Sequence, residues 1–482
     1  MQLSSLTGPE IAAPAGCGAI DVTGITADSR KAGPGVLFVA LVGTKADGAR
    51  YIVDAIAKGA VAVLAGRTAE VPAGLPVPVL RADEPRRALA LAAARFFAVQ
   101  PRTAVAVTGT NGKTSVAEFT RQIFAALGHK AASIGTLGLV KHGAAVYGSL
   151  TTPDPVALHE TLAGLAREGV THVALEASSH GLDQHRLDGV ALTAGAFTNL
   201  GRDHLDYHPT MEAYLAAKLR LFSELLQPGQ TAVVNADGPG AEAALDAARA
   251  RGLELITVGG RGDTLRLAGL AREGFAQHMR VVHEGRGFDV RLALLGAYQA
   301  SNALVAAGLA LAAGEAAGRV LPALETLKGV KGRLDVVGER NGGLAVVDYA
   351  HKPEALSAAL EALRPLATGR LICVFGCGGD RDQGKRPIMG RIAVEKADVT
   401  LVTDDNPRSE RPAAIRAEIL AGAQGAREIG DRAQAIRAAV AMMGPGDVLL
   451  VAGKGHETGQ IVGDRVIPFS DHEALRDALE RA

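Results

Sequence analysis

A glycine-rich segment followed by a lysine and a threonine, residues 108–115, is the part of this chain best suited to hold a phosphate group. It comes directly after an apolar run at 104–107 and leads into a helical pattern that starts near Val116. A strand that ends in a glycine turn at a helix start presents backbone N–H groups and the positive end of the helix dipole to an anion. Lys113 can then reach the outer phosphates, and the Thr114 hydroxyl is placed for a magnesium ion. The segment predicts a nucleotide site, with a plain glycine turn as the alternative, because its first glycine is Gly109 where the common pattern has one two positions earlier.

Three groups in the residues that follow could serve the same site. Glu176 ends a predicted strand at 171–175, where parallel sheets hold their ligands, and a carboxylate there suits magnesium unless it is simply a solvated loop residue. The loop 198–208 contains two histidines and two aspartates, which favours metal and substrate chemistry over a helix cap and a solvated turn. Lys218 lies in a helical pattern over 211–226. From the pattern alone, a lone lysine there is expected to extend to water.

Four apolar runs in the C-terminal part each end in a polar or glycine-rich loop. They cover residues 344–347, 371–375, 399–403 and 448–452, and helical patterns separate them. Parallel strands hold ligands at their carboxyl ends, so these loops predict a doubly wound sheet with one functional edge. Earlier in the chain, Asn302 near the start of an apolar helix is either a cap or an amide that recognises a base. The loops 26–30 and 43–48 are either ordinary turns or ligand loops.

Short Val, Ile and Leu runs alternate with longer Ala-rich helical patterns, which is typical of α/β proteins with parallel sheets. At 482 residues the chain is long enough for about three domains. The expected boundaries give an N-terminal domain over 1–100, a central domain over 101–328 and a C-terminal domain over 329–482. We expect a smaller N-terminal α/β domain, a central parallel sheet like that of P-loop ATPases, and a C-terminal Rossmann-like doubly wound sheet. Antiparallel strands are predicted at 257–291.

Composition excludes several classes of protein. The 51 basic residues balance the 51 acidic ones, so neither nucleic acid nor a membrane surface is indicated as a partner. The three cysteines are too few and too scattered for a disulfide framework or a zinc site. No signal peptide and no apolar run of membrane-spanning length is found in the sequence. We therefore expect a soluble, cytoplasmic protein. Separately, we expect a monomer whose partners are small-molecule substrates.

Taken together, these motifs resemble the Mur ligases of bacterial cell-wall synthesis, whose own phosphate loop has the displaced glycine. The resemblance runs from residues 26–30 to residues 454–457. It implies an ATP-dependent amide ligase, in which ATP phosphorylates a substrate carboxylate and an amine attacks the acyl phosphate. It is strongest for the members that add meso-2,6-diaminopimelate to UDP-N-acetylmuramoyl-L-alanyl-D-glutamate in peptidoglycan precursor synthesis. ATP as co-substrate and Mg²⁺ as cofactor are implied with it, since cations must neutralise two mutually repelling anions before phosphoryl transfer.

The resemblance also implies roles for individual residues around the phosphate loop. The implied catalytic residues are Lys113, Glu176, His204 and Lys218. The implied metal ligands are Thr114, Glu176, His204 and Lys218, the last as N6-carboxylysine, a carbamate able to serve a second magnesium ion. The implied ATP-binding residues are Gly109, Thr110, Asn111, Gly112, Lys113, Thr114, Ser115, Asn302, Arg333, Asp348 and His351.

Two further sets of residues are implied for the other substrates. The nucleotide-sugar substrate would contact Ala27, Ser29, Thr44, Lys45, Ala46, Thr151, Thr152, Ser178, Gln184 and Arg186. One contact is expected to be missing, because Leu150 stands where many relatives have asparagine. Diaminopimelate would contact Arg381, Asp405, Asn406, Pro407, Arg408, Gly453 and Glu457. Arg408 can hold the distal carboxylate that lysine lacks, and Glu457 suits the distal ammonium; such a polar pocket discriminates by about 10⁴-fold or more.

Three other functions share parts of this pattern. A lysine-adding or folylpolyglutamate-type ligase would use the same loop and the same reaction. A kinase or a nucleotide-hydrolysing motor would use the loop without an amino-acid acceptor, and a nucleotide sensor would bind ATP without turnover. The four polar strand ends of the C-terminal part argue against the last two, since a phosphate loop alone needs no second set of ligand loops.

Overall fold

The computed structural model describes residues 1–43, 47–141, 144–146, 150–274 and 276–481. These residues form three successive α/β domains, each with its own sheet. The two domain boundaries proposed from the sequence, near residues 100 and 328, stay predictions. Among the described helices, none is both long enough and apolar enough to cross a bilayer. The cysteines at 17, 373 and 377 are buried and free.

The N-terminal domain is a four-stranded parallel sheet in the order β1-β2-β3-β4. Successive residues of β2 point to opposite faces, so that Leu37 and Val39 pack into one apolar cluster and Phe38 and Ala40 into another. The sheet is therefore covered on both faces, as parallel sheets are. Its elements are α1 (Leu3–Leu6), β1 (Gly24–Thr26), β2 (Val36–Ala40), α2 (Ile52–Ala57), β3 (Ala62–Gly66), β4 (Val79–Ala82) and α3 (Pro85–Phe97).

The central domain is built on an eleven-stranded sheet. Its elements are β5 (Thr103–Thr108), α4 (Lys113–Ala126), β6 (Ala131–Gly135), β7 (Gly138–Lys141), β8 (Ala144–Val146), α5 (Pro155–Arg167), β9 (His172–Glu176), α6 (Ser179–Asp183), β10 (Ala194–Phe197), α7 (Met211–Arg220), β11 (Thr231–Asn235), α8 (Ala241–Arg251), β12 (Glu254–Gly259), β13 (Leu265–Glu273), β14 (Ala276–His283), β15 (Arg286–Leu292), α9 (Ala297–Ala312) and α10 (Ala317–Ala323). A π-helical turn, Leu221–Leu225, continues α7.

The strand order β15-β14-β13-β12-β11-β10-β5-β9-β6-β7-β8 places β10, β5 and β9 side by side at the centre, parallel to one another. The phosphate loop after β5, the loop 198–208 after β10 and Glu176 at the end of β9 thus lie at one edge of the sheet. The antiparallel strands begin at Leu265 and not at 257, because residues 257–259 end β12, which follows α8 and pairs parallel with β11. A strand that returns from a helical crossover joins its neighbour in parallel.

The C-terminal domain has a six-stranded sheet in the order β16-β17-β21-β18-β19-β20 and a separate hairpin of β22 and β23. The predicted doubly wound arrangement is confirmed, since the four strands β17, β21, β18 and β19 are adjacent and parallel, with apolar clusters on both faces. The elements are β16 (Asp335–Arg340), β17 (Gly343–Asp348), α11 (Pro353–Leu363), β18 (Leu371–Phe375), α12 (Lys385–Lys396), β19 (Val399–Val402), α13 (Pro412–Leu420), β20 (Arg427–Glu428), α14 (Arg432–Ala441), β21 (Val448–Ala452), β22 (Gly459–Val462), β23 (Arg465–Pro468) and α15 (Asp471–Arg481).

Candidate active site

The phosphate loop joins β5 to α4 through two glycines with positive φ, 141° at Gly109 and 88° at Gly112. A side chain at Gly109 would collide with the Thr198 hydroxyl, and one at Gly112 would collide with the amide oxygen of Asn302. Both positions therefore require glycine for conformation and for space. Helix α4 begins at Lys113, three residues before the predicted start, so that the first-turn N–H groups face the loop. This arrangement is a helix-terminal anion site.

The loop that follows β10 braces the phosphate loop from one side. Thr198 Oγ1 donates to the Asn111 carbonyl at 2.6 Å, and the Asn111 N–H donates to Asn199 Oδ1 at 3.0 Å. The Thr110 N–H donates to the Asn199 carbonyl at 2.8 Å. These bonds fix the path of the loop before any ligand binds, which reduces the ordering cost of binding.

Thr114 and Glu176 bring two oxygen donors together at the start of α4. The Thr114 hydroxyl donates to Glu176 Oε2 at 3.1 Å, and the same carboxylate accepts from the N–H of Thr136 at 2.8 Å and from its hydroxyl at 3.1 Å. Glu176 is 2% exposed, so it is not the solvated loop residue of the alternative interpretation. A hydroxyl beside a buried carboxylate is an oxygen set of the kind that Mg²⁺ prefers.

Lys218 is 1% exposed, so the expectation that it extends to water is wrong. Helix α7 packs beneath the phosphate loop and turns this side chain inward, where its Nζ donates to the Gly109 carbonyl at 2.8 Å. The ammonium also lies 4.1 Å from the centre of the Tyr214 ring. Burial, and then the charges of Lys113 and Lys352, hold the pKa of Lys218 well below its usual value. The neutral amine, which is the nucleophilic form, is therefore easier to reach here than at an exposed lysine.

His204 lies at the mouth of the site in a left-handed conformation, with φ of 53°. Its Nε2 is 3.0 Å from Asp203 Oδ2. Burial lowers the pKa of His204 to about 3, even though the Asp203 charge opposes the shift. The imidazole is therefore neutral at physiological pH, and a neutral imidazole has a free lone pair for a metal ion.

Residues from the C-terminal domain complete the surroundings of the phosphate loop. Arg333 Nη2 donates to Thr114 Oγ1 at 3.1 Å, and its guanidinium covers the Tyr349 ring at 4.6 Å. The buried Asp348 carboxylate accepts N–H groups from Leu334 at 2.6 Å and Ala350 at 2.7 Å. Burial raises the pKa of Asp348 to about 6, although the charge of Arg333 opposes it. Asp348 thereby shapes the turns on either side of it.

Two other predicted ATP-binding residues lie close to these groups. Asn302 is in the second turn of α9, whose N-cap is Gly296, so the cap interpretation is wrong. Its amide oxygen faces Gly112, and its amide nitrogen donates to Gln299 Oε1 at 2.9 Å. His351 follows Asp348 in the loop after β17, with Nδ1 2.8 Å from the Tyr349 carbonyl. Burial, followed by the charges of Lys352 and Lys385, holds the pKa of His351 well below its usual range.

A cavity of about 910 Å³ lies between the N-terminal sheet and the central domain. Ala27, Ser29, Gln184 and Arg186, all predicted to contact the nucleotide sugar, line it. Thr44, Lys45 and Ala46 lie outside the described residues. The cavity is large enough for a nucleotide-sized ligand.

A chain of hydrogen bonds connects this cavity to Glu176. Arg186 Nη1 donates to the Thr152 carbonyl at 2.7 Å, and the Thr152 hydroxyl lies 2.7 Å from the Glu176 carbonyl and 3.0 Å from Ser178 Oγ. Thr151 Oγ1 is 3.1 Å from Thr136 Oγ1, which itself contacts Glu176. The residues predicted for the nucleotide sugar therefore extend from the cavity to the phosphate loop. Leu150 is 44% exposed.

A second cavity, of about 200 Å³, lies where the C-terminal strand ends face the loop 202–206 of the central domain. Of the residues predicted to contact diaminopimelate, it is lined by Arg381, Asp405, Asn406, Arg408, Gly453 and Glu457. Pro407 is buried in the same loop. Asp203, His204, His351 and Lys352 line the cavity as well, so it opens onto the groups around the phosphate loop.

Arg408 enters this cavity from a backbone with φ of 52°. Its N–H donates to the Ile461 carbonyl at 3.0 Å, and its carbonyl accepts from the Gly463 N–H at 2.7 Å, so the hairpin of β22 and β23 holds its main chain. The guanidinium Nη1 donates to the carbonyls of Gly379, at 2.8 Å, and Asn406, at 3.5 Å. These contacts orient the guanidinium for a ligand.

Several residues of the site were not singled out from the sequence. Lys352 pairs with Asp203 at 2.5 Å, and Tyr214 supports both Lys218 and Thr110. Lys454 is fully buried and donates to Asn406 Oδ1 at 3.0 Å and to Glu457 Oε2 at 2.9 Å. Lys352 directly follows His351 and Lys454 directly follows Gly453, and both of those residues were predicted to bind a substrate. The argument that ligands bind at the carboxyl ends of strands could therefore have included the two lysines. Tyr214 gives no such signal, because it is one apolar position of an ordinary helix.

The chain is similar to known proteins over nearly its whole length. Family profiles match residues 21–97 as the Mur ligase family catalytic domain, 107–310 as the Mur ligase middle domain and 332–455 as the Mur ligase glutamate ligase domain. The UDP-N-acetylmuramoyl-L-alanyl-D-glutamate--2,6-diaminopimelate ligase of Bradyrhizobium diazoefficiens is 60% identical over 483 residues, which cover 99% of each chain. The enzyme of the same name from Agrobacterium fabrum is 60% identical over 463 residues, 96% of this chain and 94% of that one.

Solved structures show the same likeness. A structure of a ligase with that name superposes with a TM-score of 0.72 at 32% identity, and the match covers 100% of this chain and 99% of the other. The MurF ligase of Thermotoga maritima, solved in complex with ADP, has a TM-score of 0.65 at 19% identity, with 96% and 97% of the two chains covered. At that identity the second likeness concerns the fold alone.

Proposed function

The chain belongs to the Mur ligase family, and we propose that it joins meso-2,6-diaminopimelate to UDP-N-acetylmuramoyl-L-alanyl-D-glutamate with ATP as co-substrate, in peptidoglycan precursor synthesis. The names of relatives at 60% identity support this reaction. The observation that carries the choice of amino acid is Arg408, which lines the second cavity with its guanidinium already oriented. The lysine-adding alternative would leave this guanidinium without a carboxylate.

In the proposed reaction, a substrate carboxylate oxygen attacks the γ-phosphorus of ATP, and ADP leaves with the electron pair of the broken bond. The amine of diaminopimelate then attacks the acyl carbon and loses a proton, and phosphate leaves. Lys113 and the N-terminus of α4 would bind the phosphates, which lowers the repulsion between the two anions. The remaining ATP contacts are assigned to Asn302, Arg333, Asp348 and His351, which surround the loop.

We assign the magnesium ligands to Thr114, Glu176 and His204, together with a carbamylated Lys218. Mg²⁺ would neutralise phosphate charge and polarise the transferred phosphoryl group. The adjacent oxygens of Thr114 and Glu176 and the neutral imidazole of His204 support the assignment. The depressed pKa of Lys218 supports carbamylation, since only the unprotonated amine combines with CO₂.

The substrates would be arranged along a line through the molecule. The uridine end would occupy the 910 Å³ cavity, with contacts to Ala27 and Ser29, and the peptide would run past Arg186 and Thr152 towards Glu176. Diaminopimelate would occupy the 200 Å³ cavity, with its distal carboxylate on Arg408 and its distal ammonium on Glu457. Since ATP sits between two domains in this arrangement, their closure would exclude water from a hydrolysable acyl phosphate.

Domain boundaries near 100 and 328 fit this arrangement. We also propose a monomer, since one chain supplies the residues assigned to all three substrates. The cytoplasm is the proposed compartment, because ATP and UDP-linked sugars are intracellular metabolites.

A product assay tests the proposed function. Purified protein is supplied with the UDP-muramoyl-dipeptide, ATP, Mg²⁺ and either meso-diaminopimelate or lysine, and both ADP and the tripeptide product are measured. We expect the diaminopimelate product with one ADP for each amide bond formed. Preference for lysine, or ADP release without an amide product, would contradict the proposal.

A further inference from the structure

Lys352 is a buried lysine that the C-terminal domain presents to the phosphate loop. It is the N-cap of α11 and is 6% exposed. Its Nζ lies 2.5 Å from Asp203 Oδ2 and 3.4 Å from the Thr110 carbonyl, both in the central domain. This one side chain therefore reaches from one domain into the phosphate site of the other, and the roles assigned above do not use it.

Three lysines converge on two consecutive carbonyls of the phosphate loop. Lys113 Nζ donates to the Gly109 carbonyl at 2.8 Å and to the Thr110 carbonyl at 3.1 Å, and Lys218 Nζ donates to Gly109 at 2.8 Å. Lys352 reaches the second of these carbonyls. Neutral carbonyls are weaker partners for an ammonium than charged oxygens are. The cluster thus has donors that an anion would satisfy better than the main chain does.

The positive charges in the cluster repel one another. Burial, and then the charge of Lys352, lower the pKa of Lys113 to about 8, and the charge of Lys352 also contributes to the depressed pKa of Lys218. Burial alone would raise the pKa of Asp203, but the charge of Lys352 and its hydrogen bond to this carboxylate help to hold that pKa well below the usual range. An incoming phosphoryl group would relieve the repulsion, because it adds negative charge where the ammonium groups meet.

We propose that Lys352 is a catalytic residue of the phosphoryl transfer, an inference that rests on the proposed function. Its ammonium donates to non-bridging oxygens of the phosphoryl group while that group passes from ATP to the substrate carboxylate. One bond forms between the carboxylate oxygen and the γ-phosphorus, the bond to the β,γ-bridging oxygen breaks, and ADP takes the electron pair. Lys352 forms no covalent bond and transfers no proton; it stabilises charge in the transition state.

The position of Lys352 links this stabilisation to domain closure. Asp203 holds the ammonium beside the phosphate loop only when the two domains are together. An open molecule that has bound ATP would lack the third lysine, and its transfer rate would be correspondingly low.

Lys352→Met tests the inference, because it removes the charge and keeps most of the stem. In single-turnover experiments with ATP, Mg²⁺ and the UDP-muramoyl-dipeptide, we expect ADP formation to slow by about 100-fold or more. The Kd for ATP, measured by calorimetry without the second substrate, should change only a few-fold, since Lys113 and the loop amides remain. Lys352→Arg keeps the charge and should be faster than Lys352→Met. The control Lys396→Met removes a lysine that pairs with Glu361 at the surface of the same domain, and it should leave both quantities unchanged.

A purely structural role for Lys352 predicts a different result. If the side chain only holds the domains together, Lys352→Met will raise the KM for ATP and for the UDP-muramoyl-dipeptide, and saturating substrates will restore the full rate. That outcome, or a wild-type rate of ADP formation, overturns the inference. Absence of the amide product with the unmodified enzyme contradicts the proposed function instead. Should Lys352→Met fail to fold, as judged by its melting curve, Lys352→Gln enters the same comparison.

Discussion

Replacing Arg408 with alanine is expected to raise the KM for diaminopimelate strongly and to leave the KM for ATP nearly unchanged. Among the described residues, the Arg408 guanidinium donates hydrogen bonds through Nη1 only, which leaves Nε and Nη2 for a ligand carboxylate. Arg408 is half-buried, and truncating one partner of a bidentate charged pair that a ligand buries costs roughly 2 to 4 kcal/mol. Since about 1.4 kcal/mol corresponds to a tenfold change, the KM should rise by roughly 30- to 1000-fold.

The assay measures initial rates of ADP release while diaminopimelate, lysine and ATP are varied in turn. Arg408→Lys should lose an intermediate amount, since it keeps a charge but not the two parallel donors. The control Arg411→Ala removes an exposed arginine three residues away that provides no side-chain cap for α13. Neither variant of Arg408 should disturb the main chain, because the hairpin bonds involve only backbone atoms. Equal increases in the KM for ATP and for diaminopimelate, or none in either, would refute the reasoning.

Three further predictions concern other parts of the molecule. Lys218→Ala should abolish ligation, and short carboxylic acids should restore part of the rate by standing in for the carbamate; no restoration, together with no added CO₂ mass on the unmodified enzyme, would contradict carbamylation. Burial, then the charges of His129 and Arg102, lower the pKa of His172 to about 4. The unfolded chain therefore binds more protons between pH 6.5 and 4, and the free energy of unfolding should fall by roughly 1 to 2 kcal/mol as the pH is lowered through this window. In urea titrations, the free energy of unfolding of His172→Gln should depend less steeply on pH than that of the unmodified protein. An unchanged slope would show that His172 does not cause this pH dependence. Asp471→Asn leaves the fully buried Arg432 without its charged partner, so it should lower the free energy of unfolding by about 3 to 5 kcal/mol; a loss below about 1 kcal/mol in denaturant titrations would show that the pair is dispensable.

The sequence predicted those parts of the fold and of the site that depend only on which residues follow each strand along the chain. The phosphate loop and the four C-terminal loops follow buried strands, and Glu176 is the last residue of one; parallel sheets bring such positions to one edge. The start of the antiparallel strands was placed too early, at residue 257, because periodicity gives the presence of a strand but not the direction of its partner; β13 still runs parallel to β12, and the direction reverses only at β14.

Contacts between distant segments could not be predicted from local patterns. Whether Lys218 faces water or the phosphate loop depends on how α7 packs under residues more than a hundred positions earlier. The pairing of Lys352 with Asp203 likewise joins two domains, and no local pattern records it. Asn302 was placed near a helix start, but the turn that begins at Gly296 carries the cap and puts Asn302 opposite Gly112. In each case tertiary packing decides the environment of the side chain.

The two main-chain bonds that fix residue 408 do not depend on which side chain stands there. The hairpin of β22 and β23 thus holds the main chain at residue 408, so the side chain to which we assign the choice of amine can be exchanged while the loop keeps its path. A change of amino-acid preference in such a ligase can then begin with a single substitution. Substitutions in a packed protein core usually need compensating changes in the surrounding residues, and this position does not.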